Sequence, residues 1–190
     1  YRVNIAVQGQ AFEILASNLL TAEYTAINLT PGVIYEFKIE SRNSYDYSSY
    51  SDVLTMLCAF KPEPPAAPTT YRTTNQMNID WVEPFTNGSP ITGYRIYILE
   101  HDSVTYTQES VECDGTSSTV ISNTFCQVSL SNLIIAPYDL VLDESVWVKI
   151  IAENFYGDSL ISDAGNGGLV KLVPDAPINL ANDATVTIDT

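Results

Sequence analysis

The sequence predicts an all-β chain of antiparallel sheets packed as sandwiches, and three observations carry that expectation. The chain repeats itself, its matched segments alternate apolar and polar residues with period two, and turn-forming dipeptides punctuate the strand-like runs. Pro31-Gly32, Asn87-Gly88, Asp114-Gly115 and Gly157-Asp158 are those turns. No window carries an apolar stripe at helical spacing.

The elements follow in chain order. Tyr1-Arg2-Val3 matches Tyr94-Arg95-Ile96 at an offset of 93. After the corner Leu29-Thr-Pro31-Gly32-Val-Ile-Tyr35, the residues Tyr35, Phe37, Ile39 and Ser41 lie on one side of a strand and Glu36, Lys38, Glu40 and Arg42 on the other. Successive strand side chains point to opposite sides, so one face is expected to be buried and the other wet. Val146, Val148, Ile150 and Ala152 repeat the buried face at an offset of 111, and the match runs through Asn43/Asn154, Ser48/Ser159 and Ser51-Asp52/Ser162-Asp163. Trp147 is expected to point outward and pack beneath an inserted segment. Met77, Ile79 and Trp81 form a shorter buried row, and the stretch from Pro68 to Trp81 matches Pro177 to Thr190 at an offset of 109. Gly165-Asn166-Gly167-Gly168 is expected to open the last strand of the second repeat.

The rise in offset from 93 to 111 gives the second repeat about 18 extra residues, expected as one insertion holding Cys113 and Cys126. Two connectors, Phe60 to Pro68 and Leu172 to Pro177, are proline-rich. Proline restricts φ and favours extended backbone, so both are expected to be semi-rigid spacers in a rod or filament of modules.

Together these residues resemble fibronectin type III modules, an immunoglobulin-like β-sandwich family, along essentially the whole chain. Trp81 and Pro84 resemble the family's Trp-x-x-Pro at the end of strand B. Asn87-Gly-Ser-Pro90 through Tyr94-Arg95-Ile96 resembles the B–C loop and strand C. Ala152-Glu-Asn154-Phe-Tyr-Gly157 resembles the end of strand F and its turn. Tyr35 resembles the corner tyrosine that bonds back to nearby backbone. Val146 replaces that tyrosine in the second repeat, and Asp46 stands in the first where Gly157 stands in the second. The cysteine-bearing extra length is similar to repeats of large ciliate and other protist surface proteins. The resemblance implies a partial module in residues 1–60 (strands C to G), a complete one in 61–173, and strands A and B of a third in 174–190. A half sandwich exposes its core, so the flanking halves are expected to continue outside the given sequence. The chain starts at Tyr1 with no Met, so targeting information is missing.

Cys113 and Cys126 are expected to form a disulfide stapling a hairpin or Ω-like excursion. That bond contributes about 3 kcal/mol in the chain-entropy model and implies an oxidising compartment. Free thiols are the alternative; a metal site is poor, with no Cys-x-x-Cys and a single histidine. Cys58 is expected in the last strand of its module, at the position of Leu169, as a small buried residue, or else paired with a cysteine of the missing half. Asn28-Leu-Thr and Asn87-Gly-Ser are possible glycosylation sites, although turn formation explains both.

The formal charge of −15, from 23 acidic and 8 basic residues, disfavours nucleic acid and anionic membranes. No apolar run reaches membrane-spanning length, the best being Leu133 to Leu142, broken by Pro137 and Asp139. His101 lies in no catalytic motif, the glycine run lacks a phosphate-binding pattern, and Asp143-Glu144 reads as a solvated turn. No cofactor is expected. Calcium is the one ion considered, near Asp175, Asn182 and Asp183 or near Asp158 and Asp163. The expectation is a non-catalytic structural or adhesive segment of a large extracellular or cell-surface protein. Its partners would be neighbouring modules, other proteins or glycans, and itself in filaments. The alternatives are an intracellular cytoskeletal or axonemal scaffold, or spacer modules of a carbohydrate-active enzyme or receptor.

Overall fold

The computed structural model describes residues 1–172, so the expected third module in 174–190 lies outside the described residues. In the first module β1 (Arg2–Val7), β2 (Glu13–Ala16), β3 (Ile34–Glu40) and β4 (Leu54–Leu57) form one antiparallel sheet in the order β2-β1-β3-β4. Register sets Val3 opposite Ile39, Ile5 opposite Phe37 and Val7 opposite Tyr35. Tyr35 and Phe37 in turn oppose Met56 and Leu54. Directly opposed residues share a face, so these side chains make a continuous apolar surface.

The second module closes into a sandwich. Its elements are β5 (Thr69–Thr73), β6 (Gln76–Asp80), β7 (Ile91–Leu99), β8 (Tyr106–Glu109), α1 (Ser118–Asn123), β9 (Phe125–Ser129), α2 (Leu130–Leu133), β10 (Val148–Asn154) and β11 (Gly157–Asp158). One sheet has the order β5-β6-β9 and the other β11-β10-β7-β8. Met77, Ile79, Trp81 and Val128 project from the first onto Tyr94, Ile96, Ile98, Val148, Ile150 and Ala152 of the second, and all are buried. The register pairs Val148 with Ile98, Ile150 with Ile96 and Ala152 with Tyr94, which keeps every inward residue on one side. Trp81 and Tyr94 meet edge to face with ring centroids 5.1 Å apart. Two packed antiparallel sheets with this strand order are an all-β, immunoglobulin-like sandwich.

Several expectations change. The row Tyr35, Phe37, Ile39 is not buried as its counterpart is: Ile39 is 46% exposed where Ile150 is 0%. No second sheet covers it among the described residues. The nominally wet face of the same sheet instead buries Asn4 and Glu40, because Arg2 donates from Nε and Nη2 to Glu40 at 2.6 and 2.8 Å and Asn4 adds a third bond at 3.0 Å. The Arg2 guanidinium also lies over the Tyr47 ring at 3.8 Å.

The extra length of the second module is not one insertion. It is shared between residues 110–124, before β9, and the stretch from α2 to β10, and Cys126 sits on β9 itself. The excursion between the cysteines holds a short helix, not a hairpin. Asp114 Oδ1 accepts the N–H and hydroxyl of Thr116 ahead of α1, and Thr124, at φ 50°, ends it in the left-handed region. Six residues are too few to show a helical stripe. Cys58 follows β4 half-buried, its backbone N–H bonded to Val33 at 2.9 Å, because the sheet that would cover it is missing from the described residues.

The last strand of the second module is likewise discontinuous, reduced to β11 and isolated bridges at Gly165 and Leu169. The glycine run is what lets this segment pass beneath β5 and β6. A Cβ at Gly165 would meet the Pro68 carbonyl at 1.6 Å, and one at Gly168 the Met77 sulfur at 2.3 Å.

Candidate interaction surface and module joint

The connector between the modules is clamped, not free. Pro62, Pro65 and Pro68 are buried while the residues between them are exposed. A burial period of three is that of a polyproline II helix laid against a surface. Phe60 N–H donates to Asn87 at 3.0 Å, Glu63 N–H to Phe85 at 3.0 Å, and Asn87 Nδ2 to Lys61 at 2.9 Å. The Pro31-Gly32 turn of the first module then sits directly on the Asn87-Gly88 turn of the second. Gly32 N–H donates to the Cys58 carbonyl at 2.8 Å, and a Cβ on Gly88 would stand 2.1 Å from the Gly32 nitrogen. Gly88 has φ 84°, so both its conformation and its space require glycine.

Asn154 locks this joint from below. Its Oδ1 accepts Tyr156 N–H at 2.8 Å, and its Nδ2 donates to the carbonyls of Phe60 and Thr86 at 2.8 and 3.1 Å, with Ser89 at 3.4 Å. Asn43, its counterpart, makes the same turn: its Oδ1 accepts Tyr45 and Asp46 N–H at 2.9 and 3.1 Å. The matched serines share a task as well. Ser159 and Ser162 Oγ accept the Ala152 and Ile150 N–H at 3.0 and 2.9 Å. Ser48 and Ser51 accept Ser41 and Ile39 N–H at 3.0 Å each. Each serine thus replaces a ladder bond that a regular last strand would supply. Tyr35 Oη accepts Thr30 N–H at 3.1 Å, while Val146 at the same place is fully buried in apolar packing. Gly157, at φ 119°, makes the turn after Asn154.

The open face of the first module forms a groove of about 820 Å³, floored by Val3, Phe37, Ile39, Leu54 and Met56 and walled by Tyr24. Its lining is almost wholly apolar. Ile39, Leu54 and Met56 are 46%, 57% and 52% exposed, the inner face of a partial module with no second sheet over it among the described residues. Along one wall Tyr24, Ala26 and Leu29 point in. Residues 24–29 make no backbone–backbone hydrogen bond among the described residues.

Cys113 and Cys126 are joined by a disulfide, both buried against the core with Val120 and Ile121 of the helix packed beside them. The second half of the extra length is held by Glu109, which the sequence did not single out. Its Oε1 accepts the N–H groups of Val111 and Glu112 at 2.7 and 2.9 Å, and its Oε2 accepts the Tyr138 hydroxyl at 2.8 Å. Burial and this carboxylate push the Tyr138 phenol well above its ordinary range. Nothing in a lone Glu after a strand marks it as buried; only the packing of Leu133, Tyr138 and Leu140 over the end of the sheet does. Trp147 is 37% exposed on the outer face.

Asn28 is exposed at φ 59°, whereas the Nδ2 of Asn87 is spent on the joint. His101 Nδ1 lies 2.9 Å from Glu144 at the surface. Asp158 pairs with Arg95. Among the described residues no group of three His, Cys, Asp or Glu gathers that could hold a metal, and Asp163 has no such company. Asp175, Asn182 and Asp183 lie outside the described residues. No helix among the described residues is long and apolar enough to cross a membrane.

No family model matches the chain. It is similar to a Kelch domain-containing protein of Saccharolobus solfataricus, 26% identical over 162 residues, which is 83% of this chain and 21% of that protein. Among solved structures, a run of titin domains aligns over 86% of this chain and 52% of its own length, with 17% identity and a TM-score of 0.48. A structure of titin kinase and its flanking domains aligns over 56% of this chain and 17% of its own, with 23% identity and a TM-score of 0.42. The chain thus spans about a fifth of the curated relative, about half of one of these structures and less than a fifth of the other.

Proposed function

We propose that the chain is a non-catalytic structural segment of a larger modular protein, acting as spacer and protein-interaction surface at the cell surface or outside the cell. The carrying observation is the joint. A connector clamped at every third residue, a turn stacked on a turn and Asn154 bonding across both hold successive modules at one angle, which is what a load-bearing or distance-setting rod requires. The alignment with one fifth of a longer Kelch domain-containing protein supports a segment of something larger. The disulfide supports an oxidising compartment. The resemblance of the cysteine-bearing extra length to repeats of large ciliate and other protist surface proteins makes those the class of protein this reading favours.

The deciding measurement is non-reducing peptide mapping of native material. A Cys113–Cys126 linked peptide supports the reading; two free thiols move the chain to the intracellular scaffold alternative. Cys58, half-buried without a cysteine partner among the described residues, favours that alternative. Any glycan is expected on Asn28, since modifying Asn87 would remove its bonds to Lys61 and Glu63. No cofactor enters this reading, and chelation of calcium is expected to leave the thermal midpoint of the described modules unchanged.

A further inference from the structure

We propose that a cavity at the edge of the second module, between the end of β8 and the stretch from α2 to β10, binds the ammonium group of an alkyl amine, with Glu109 as its counter-charge. The inference goes beyond the spacer reading and does not depend on it. The cavity has a volume of about 310 Å³, at the lower end of the range of small-molecule sites, about 300–1,000 Å³. Every residue that lines it is among the described ones. In the order β11-β10-β7-β8, β8 is the edge opposite β11, so the cavity lies away from the last strand, by which the chain leaves the module.

Charge is the starting point. Glu109 stands opposite Ile96 in the register, so its carboxylate turns inward with the core residues, and it is 5% exposed. Its three partners, two backbone N–H groups and the Tyr138 phenol, are all neutral. No Lys, Arg or His pairs with it among the described residues. Lys149 stands opposite Tyr97, on the outer face of the same sheet, and lies over the Tyr106 ring at 4.4 Å. Glu100 and Glu112 act on the Tyr138 phenol in the same direction as Glu109, so this corner gathers negative charge. A buried carboxylate without a counter-ion is costly, and a cation that enters beside it relieves that cost.

The lining selects the kind of cation. A carboxylate offers about four acceptor sites, and three of those on Glu109 are taken, so the two-pronged grip that a guanidinium needs is not available. Gln108, Ser110 and Asn132 also line the cavity, and none of the three takes part in a side-chain hydrogen bond among the described residues. An ammonium group carries three N–H donors, which these side-chain oxygens and Glu109 can accept together. Val111 and Pro137 supply an apolar wall for the alkyl chain. A metal ion has no ligand set here, because no group of three His, Cys, Asp or Glu gathers among the described residues.

Titration of the full chain with n-butylammonium at constant ionic strength, followed by amide NMR, tests this. Saturable shifts confined to residues 108–112 and 132–138 are expected. Tetramethylammonium has the charge without the N–H donors, and n-butanol has the chain without the charge; each is expected to bind at least about ten-fold more weakly. Glu109→Gln is expected to abolish the shifts. Because that change also loosens residues 110–112, Asn132→Leu is the second variant: it removes an acceptor that holds no other part of the fold, and should weaken binding about ten-fold with the thermal midpoint kept. Nα-acetyl-lysine methylamide separates the two sources of the group. Tighter binding than n-butylammonium assigns the site to a lysine side chain of a partner protein, and weaker binding assigns it to a free amine. Shifts that do not saturate, or that spread over the acidic surface, overturn the proposal. So does n-butanol binding as well as n-butylammonium, or undiminished binding by either variant. None of these outcomes touches the spacer reading.

Discussion

Asn154 does the most work of any single side chain, because one buried amide satisfies the carbonyls of Phe60 and Thr86 and the Tyr156 N–H at once. Its replacement by Ala leaves two part-buried carbonyls without this donor, and is expected to lower the stability of the second module by about 1–2 kcal/mol in urea denaturation. Asn43→Ala, at an exposed turn with only the Oδ1 bonds, is expected to cost clearly less. Glu40 offers a test in pH. The hydrogen bonds from Arg2 hold its carboxyl below the usual carboxylate range. A carboxyl with a depressed folded pKa contributes stability at and above its unfolded pKa and loses it as pH falls through the folded value. Thermal stability of the first module should therefore decline on the acid side, and Glu40→Gln should flatten that decline. An acid limb unchanged by Glu40→Gln would show that the Arg2 pairing carries no linkage.

At the scale of elements, the last strands are the weak ladders. Ser159 and Ser162 each accept a strand N–H that would otherwise be buried without a partner. Ser→Ala at either is expected to cost about 1 kcal/mol, and the two should be less than additive because they brace one strand. The same substitutions at Ser48 and Ser51 should cost less, since water reaches that sheet edge. The disulfide braces the other edge: the pair Cys113→Ser and Cys126→Ser is expected to destabilise the second module by about 3 kcal/mol, read from the urea midpoint. Glu109→Gln, which keeps the shape but weakens the acceptor to Val111, Glu112 and Tyr138, should loosen the extra segments without unfolding the sandwich, seen as faster amide exchange in residues 110–112.

At the scale of the whole molecule, the angle between modules depends on two glycines touching. Gly88→Ala sets a methyl against Gly32 and forces a residue with a Cβ into a left-handed conformation. The first-module turn must lift, so small-angle scattering should show a broader distribution of shapes while each module keeps its own unfolding midpoint. If the scattering curve is unchanged, the stacked turns are not what orients the modules.

The all-β class, the inward rows of β6 and β10 and the turn residues of the joint were legible in the sequence alone. These are local properties: alternation in a strand and positive φ in a turn are written in a few consecutive residues. Asn43 and Asn154, Ser48 and Ser159, were legible as repeats before their bonds were known. Tertiary structure alone decided which rows are buried. Tyr35, Phe37 and Ile39 read as core by pattern and lie open, because burial is a property of the partner sheet and no pattern within a strand reports whether that sheet is there. It also decided that Gly32 meets Gly88, that Glu109 is buried among three donors, and that the extra residues divide around β9. Each of these depends on segments far apart in the chain arriving at one place, and sequence spacing carries no record of that arrival.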